Sequence, residues 1–297
     1  MNAPRLKIAI GIATAGRQET LIQSVALLKR QTRLPDILAI CPLASDNVGQ
    51  QDFSDFPATT IVVVGPKGLC AQRNMILSAV PDVDVIVFFD DDFIADPEYL
   101  ANIEKIFLSH PDVGATTGHL LADDATGPGL GMASGLDILN RHTYRGRDEL
   151  QHVFGLYGCN MAFRMKIVRD HSLRFDENLP LYGWQEDVDF SLQVVRFGRL
   201  VKSDKLLGVH LGVKAGRTSG IRLGYSQIVN PVYLARKGTM SWRHACKLMS
   251  RNFAANLARS LYPEPWIDRF GRLRGNLIAL TDVVAGRASP MKILQLE

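Results

Sequence analysis

Cysteine is scarce and scattered. The four residues Cys41, Cys70, Cys159 and Cys246 lie far apart with neither metal-finger nor redox spacing, so reduced thiols in a cytoplasmic protein are the simplest reading. No apolar run is long enough to span a bilayer, and the opening Met1-Asn2-Ala3-Pro4 leads into a strand-like stretch rather than a signal-peptide core. The chain is expected to be soluble or peripheral. No G-x-G-x-x-G follows the first strand; the one glycine-rich stretch, within Ala122 to Gly135, has no strand feeding directly into it and is interrupted by Pro128. That argues against a dinucleotide-binding dehydrogenase. A recognisable nucleic-acid module is also missing, so no nucleic-acid partner is expected.

Sufficient apolar residue is present for a folded core: 46% of the chain is hydrophobic and 22% charged, which makes wholesale disorder untenable. At 297 residues it can form one large domain, or a domain with an appendage. The net charge of +4 hides an asymmetry. Residues 1–198 hold 17 Lys and Arg against 25 Asp and Glu, whereas residues 199–297 hold 17 against 5, a balance of +12. Such a basic third suits an anionic lipid surface, a phosphorylated substrate or nucleic acid.

The most informative segment is Val85-Ile86-Val87-Phe88-Phe89-Asp90-Asp91-Asp92. Five consecutive apolar β-formers suit a strand buried on both faces of a sheet, and its carboxyl end then presents three carboxylates where open α/β sheets bind ligands. Adjacent carboxylates repel, so a hard divalent cation is their natural companion. A solvated acidic turn before the helix near Pro97 is the bland alternative.

Strand and helix signals alternate along the first hundred residues. Strands are predicted over Lys7 to Ile12, Ile37 to Cys41, Thr60 to Val64 and Val85 to Phe89, with helices after Arg17, over Leu69 to Ala79 and over Pro97 to Ser109. This βαβ rhythm predicts a mostly parallel sheet covered by helices. Val153 to Phe163 reads as a further strand, and Gly183-Trp184-Gln185-Glu186-Asp187 opens a helix to about Phe197. Glu186 and Asp187 there also suit the positive end of a helix dipole without any chemistry. The stretch from Ala215 to Gly224 has the composition of a mobile loop. From Ser241 the pattern is a basic amphipathic helix, with an apolar stripe through Trp242, Cys246, Met249, Phe253 and Leu257 and with Arg243, Lys247 and Arg251 on another face.

Four features occur in an order that resembles the inverting family 2 glycosyltransferases with the GT-A fold, in bacterial polysaccharide-type form. They are the first strand with Thr14 to Arg17; Gly68-Leu69-Cys70-Ala71-Gln72-Arg73-Asn74; Asp90 to Asp92; and Gly158-Cys159-Asn160-Met161-Ala162-Phe163-Arg164, followed by Phe175-Asp176-Glu177 and Glu186-Asp187. The resemblance implies an α/β fold with a mixed, mostly parallel central sheet. Its catalytic domain is expected over 1–220, with a donor half to about 112 and an acceptor half from about 113, and a basic helical extension over 221–297. It further implies a sugar transferase using a nucleotide-sugar donor, UDP-linked by preference, with Mn²⁺ or Mg²⁺.

Residue by residue, the resemblance makes Asp92 a metal ligand and assigns Asp90 to the ribose, the metal or both, with Asp91 beside them on the donor. His210, after a short strand-like segment, is a further ligand or a diphosphate contact. Thr14, Arg17 and Arg73 match positions lining the donor pocket. Relatives have an acidic residue after the second strand that reads uracil; here the stretch is Cys41-Pro42-Leu43-Ala44-Ser45-Asp46, and Asp46 is the shifted candidate. Asp187 is the candidate base, Glu186 is placed to orient the acceptor, and Trp184 is a candidate to stack on an acceptor sugar. The acceptor is expected to be a saccharide or a lipid-linked saccharide in surface-polysaccharide assembly, with the basic C-terminal third on an anionic membrane. Alternatives are a sugar-phosphate nucleotidyltransferase and a non-catalytic carbohydrate-binding protein.

Overall fold

The computed structural model describes residues 5–215 and 218–297, so Met1 to Pro4, on which the reading of the N-terminus rests, lie outside it, as do 216 and 217 of the expected mobile loop. The first half alternates: β1 (Ile8–Ala13), α1 (Gln18–Leu28), β2 (Ile37–Cys41), β3 (Thr59–Val62), α2 (Leu69–Ala79), β4 (Val85–Asp90), β5 (Phe93–Ala95) and α3 (Tyr99–Ser109). The second half comprises β6 (Val113–Asp123), α4 (Met132–Arg141), β7 (Gln151–His152), β8 (Asn160–Arg164), α5 (Met165–Asp170), α6 (Glu186–Val194) and β9 (Arg199–His210). Three long helices follow, α7 (Gly220–Lys237), α8 (Trp242–Arg259) and α9 (Arg269–Val284), with a 3₁₀ turn over Pro290–Gln295 after them.

One sheet carries all nine strands found among the described residues, in the order β3-β2-β1-β4-β8-β6-β9-β5, with β7 beside β9. The run β3-β2-β1-β4 is parallel, as alternating strands and helices require. Pairing turns antiparallel at β8, which lies between β4 and β6. Along β1 and β4 successive side chains enter opposite cores: Ile8, Ile10, Ile12, Val85, Val87 and Phe89 on one side, Ala9, Ile86 and Phe88 on the other. Each such buried aliphatic or aromatic side chain contributes ~1.5–3 kcal/mol, which anchors the carboxyl end of β4 where Asp90 emerges.

Several local expectations shift. The predicted strand over Val153 to Phe163 is mostly turn and becomes β8 only from Asn160 to Arg164. The glycine-rich loop is shorter than expected, because β6 extends to Asp123 and α4 begins at Met132. Helix α7 already starts at Gly220, inside the stretch read as loop. Its C-terminal half docks on the sheet-bearing body. Leu234 and Ala235 join the sheet core, and Lys237 Nζ lies 2.7 Å from both Asp176 and Asp189. The apolar stripe of α8 is split: Met249 and Phe253 pack inward, whereas Trp242, Cys246 and Leu257 are exposed.

Candidate active site

The site forms where β1, β4, β6 and β9 end together. Strand pairing aligns Asp90 with Ala13, and His210 with both Phe93 and Asp123. The triplet leaves β4 in a tight turn before β5, so its three carboxylates take different surroundings.

Asp91 is buried. Its Oδ2 accepts a hydrogen bond from Thr14 Oγ1 at 2.6 Å, and its Oδ1 lies 2.9 Å from Arg17 Nη2. Burial pushes its carboxyl up to about 7 although Arg17 opposes the shift. Asp92 is buried too, but it is surrounded by donors. Its Oδ2 accepts from Val213 N at 2.8 Å and from Arg17 Nη1 at 3.3 Å, while Oδ1 faces His210 Nε2 at 3.4 Å. Burial raises this carboxyl, yet His210, Arg17 and the Val213 amide outweigh it and bring it down to about 2.

His210 stands between carboxylates. Its Nδ1 meets Asp123 Oδ1 at 2.9 Å, and its Nε2 lies 3.9 Å from Asp90 Oδ2. Desolvation would lower its basicity; Asp123 and Asp92 reverse this and raise it to about 10. One ligand atom each from Asp90, Asp92 and His210 falls within 4.8 Å of the others. Two carboxylate oxygens and one imidazole nitrogen suit a divalent cation of the Mn²⁺ type. The Asp123–His210 contact orients the ring, as carboxylates behind metal-binding histidines do. Tyr157 Oη donates to the other Asp123 oxygen at 2.9 Å and its ring meets His210 edge to face.

Arg73, on α2, is buried and fully engaged. Its guanidinium pairs with Glu186 Oε1, donates to Asp90 Oδ1 at 3.2 Å and donates to Gly158 O at 2.9 Å. Burial disfavours the cation, but Glu186 and Asp90 hold its pKa above the usual arginine range. Glu186 is desolvated as well, and its Oε2 has no hydrogen-bond partner among the described residues. Burial pushes its carboxyl up to about 8, against the pull of Arg73.

Asp187 follows on the first turn of α6. Oδ2 accepts from Gly158 N at 2.9 Å and Oδ1 from Val188 N at 2.8 Å. Burial lifts its carboxyl above the ordinary value against both amides. The helix begins after Gln185, a non-glycine residue held at φ 75°, preceded by Gly183 at φ 62°. A left-handed side-chain-bearing residue costs about 1–3 kcal/mol, and such strain clusters at functional sites.

Thr14, Arg17, Arg73, Asp90, Asp91, Asp92, Glu186 and His210 therefore form one chain of direct contacts, with Asp187 joined through Gly158. Asp46 borders it: its carboxylate accepts from Gly16 N at 3.0 Å and from Leu43 N at 3.1 Å. Trp184 is tied instead to α7, where Asn230 Nδ2 donates to its carbonyl at 2.8 Å. Asp123, Tyr157 and Gln72, whose amide donates to Thr14 O and Cys41 O, are the members that sequence reasoning missed. Only strand register brings Asp123 to His210, and no local motif marks it.

No protein-family model and no curated protein sequence matches the chain. Solved structures do. S. aureus TarS residues 1–349 in complex with UDP-GlcNAc superposes with a TM-score of 0.61 at 15% identity, over 98% of this chain and 84% of that one. The fold is GT-A. A mannosyltransferase from Pyrobaculum calidifontis in complex with GDP-Man and Mn²⁺ matches this GT-A chain with a TM-score of 0.56 at 14% identity, over 99% and 79%. Glucosyl-3-phosphoglycerate synthase from Mycobacterium tuberculosis, in complex with Mn²⁺, UDP and glucosyl-3-phosphoglycerate, gives 0.52 at 15%, over 78% and 80%. The chain spans 40% of the longer S. aureus TarS chain.

Proposed function

We propose that the protein is a divalent-metal-dependent, inverting glycosyltransferase that moves a sugar from a nucleoside diphosphate to a hydroxyl of a saccharide or lipid-linked saccharide. The observation that carries this reading is the Asp90–Asp92–His210 cluster joined through one buried arginine, Arg73, to the Glu186-Asp187 pair. A cation-binding group and an acidic pair are what a single displacement needs on either side of an anomeric carbon. The shared fold with proteins bound to UDP-GlcNAc or to GDP-Man and Mn²⁺ supports it.

Asp90, Asp92 and His210 would hold the cation, which when bound supplies charge stabilisation to the departing diphosphate. Thr14 and Arg17 would line the donor side, and Asp46, which accepts from Gly16 N, would read the base. The acceptor oxygen forms its bond to the anomeric carbon as the bond from that carbon to the diphosphate oxygen breaks, and the hydroxyl proton passes to Asp187. A carboxylate lifted by burial holds that proton better than an exposed one would. The pair of electrons leaves with the nucleoside diphosphate. We place the reaction at the cytoplasmic face of a bacterial membrane, in surface-polysaccharide assembly, with Trp184 beside the acceptor.

The test is thermal stabilisation and calorimetric binding with a panel of UDP- and GDP-sugars, with and without Mn²⁺, in the wild type and Asp92→Asn. One donor should bind only with Mn²⁺ and lose at least ~10-fold in affinity in the variant, because diphosphate and carboxylate repel without a cation between them. Equal binding in excess chelator overturns the proposal. Release of pyrophosphate from a nucleoside triphosphate and a sugar phosphate would favour a nucleotidyltransferase instead.

A further inference from the structure

Helix α9 carries polar residues in its packed face and a second set of apolar residues on its outward face. Its inward face carries Arg269, Gly275, Asn276, Ala279 and Asp282, all buried. Its outward face carries Phe270, Leu277 and Val284, which are 73%, 52% and 89% exposed. These three repeat at seven-residue intervals, so they lie along one line over about 21 Å of helix. Isolated exposed apolar residues are ordinary, but an apolar line running the length of a helix outside its packed face is not.

The inward polarity has its own structural cause. Gly224 of α7 lies against the Arg272 backbone, and Gly275 of α9 lies against Ile221 O, so the two helices touch without intervening side chains. Asn276 Nδ2 donates to Gly224 O, Asn256 Nδ2 donates to Asn276 Oδ1 and Gln227 Oε1, and Tyr225 Oη donates to Asp282. The contact is thus held by hydrogen bonds beside a small apolar cluster in which Ala279, Ile278 and Val283 meet Tyr225 and Ile228, while Phe270, Leu277 and Val284 are left outward. Beyond α8, Leu261 and Tyr262 are exposed as well.

We infer that this outward face of α9, with the turn before it, docks on an anionic lipid surface. Charge selects the occupant. Residues 221–297 carry 12 Lys and Arg against 4 Asp and Glu. Glu264 is taken up by Arg259 and Arg269, and Asp282 by Lys292. Arg274 has no ion pair among the described residues and lies within a turn of both Phe270 and Leu277. An exposed apolar line with an unpaired arginine between its members, on a strongly basic segment, is the composition of an interfacial helix. A second copy of the chain fits less well, because a two-fold interface would set this basic surface against itself. The attachment is peripheral, since no helix among the described residues is long and apolar enough to cross a membrane. Trp266 Nε1 donates to Thr126 O at 3.0 Å, which ties this face to the turn following Asp123.

Co-sedimentation with vesicles of phosphatidylcholine and phosphatidylglycerol, against phosphatidylcholine alone, tests this without reference to any sugar. Its failure and that of the transferase reading are therefore read separately. At low salt the wild type should bind the anionic vesicles and release as ionic strength rises. Phe270→Ser with Leu277→Ser and Val284→Ser should weaken that binding at least ~10-fold, as should Arg274→Glu, each protein keeping a wild-type melting transition. The charge reversal keeps the question decidable if the triple variant does not fold. A wild type that ignores anionic vesicles at low salt, or a folded variant that binds them like the wild type, overturns the inference. So does a dimer in sedimentation equilibrium that the serine variant dissociates while neither form binds vesicles.

Discussion

Arg73 and Glu186 form a buried ion pair between α2 and α6, elements 113 residues apart in sequence, and the same guanidinium reaches Asp90. The carboxylate-bearing end of β4 is thereby fixed relative to the acidic turn of α6. Removing Arg73 leaves the buried Glu186 carboxyl, already pushed up to about 8, without its hydrogen-bond donor in low dielectric. Arg73→Met should therefore destabilise the protein by ~1–3 kcal/mol in urea unfolding. Adding Glu186→Gln should restore at least half of that loss. An Arg73→Met protein as stable as the wild type would mean that the pair does not hold these elements together.

Asp123 sets the His210 ring through a 2.9 Å contact without belonging to the Asp90–Asp92–His210 cluster. Losing such a backing carboxylate typically weakens metal affinity ~10–100-fold, and Asp123→Ala should do so in Mn²⁺ calorimetry. Tyr157→Phe, which removes one donor to the far oxygen, should have a smaller effect. Unchanged affinity in Asp123→Ala would detach this residue from the site.

The metal-free protein should lose stability in a defined alkaline window. His210 keeps its proton when folded until about 10 against an ordinary 6.5, because Asp123 and Asp92 outweigh the effect of burial. That proton's contribution is complete below 6.5 and is lost as the pH climbs through 10. Metal ligation needs the neutral ring, so stabilisation by Mn²⁺ should grow across the same window. Melting temperatures of the wild type and His210→Gln, with and without Mn²⁺, check this. Identical pH profiles for the two metal-free proteins would contradict it.

Much of the fold was legible because burial on both sides of β4 leaves an unbroken apolar run, and that run points to Asp90. Alternation of strand and helix signals likewise marked the parallel half. The antiparallel insertion of β8 was not legible, since only Asn160 to Arg164 of a longer apolar stretch pairs with β4 and β6. Asp123 was hidden because its role depends on register between β6 and β9. The left-handed Gln185 gave no signal, as glutamine does not advertise that conformation. Hydrophobic patterning misled in α8, where the predicted stripe divides between core and solvent, because part of the helical interior is polar: Asn256, Gln227 and Asn276 fill it.

Nucleoside-diphosphate release from the best-bound donor, in the presence of Mn²⁺ and acceptor, is to be compared between wild type and Asp187→Asn, with donor affinity measured alongside. A base acts in the transition state, so the rate should fall at least ~100-fold while donor affinity stays unchanged. The wild-type product should carry the inverted anomeric configuration. A full rate in Asp187→Asn, or a product of retained configuration, would contradict single displacement with Asp187 as the base.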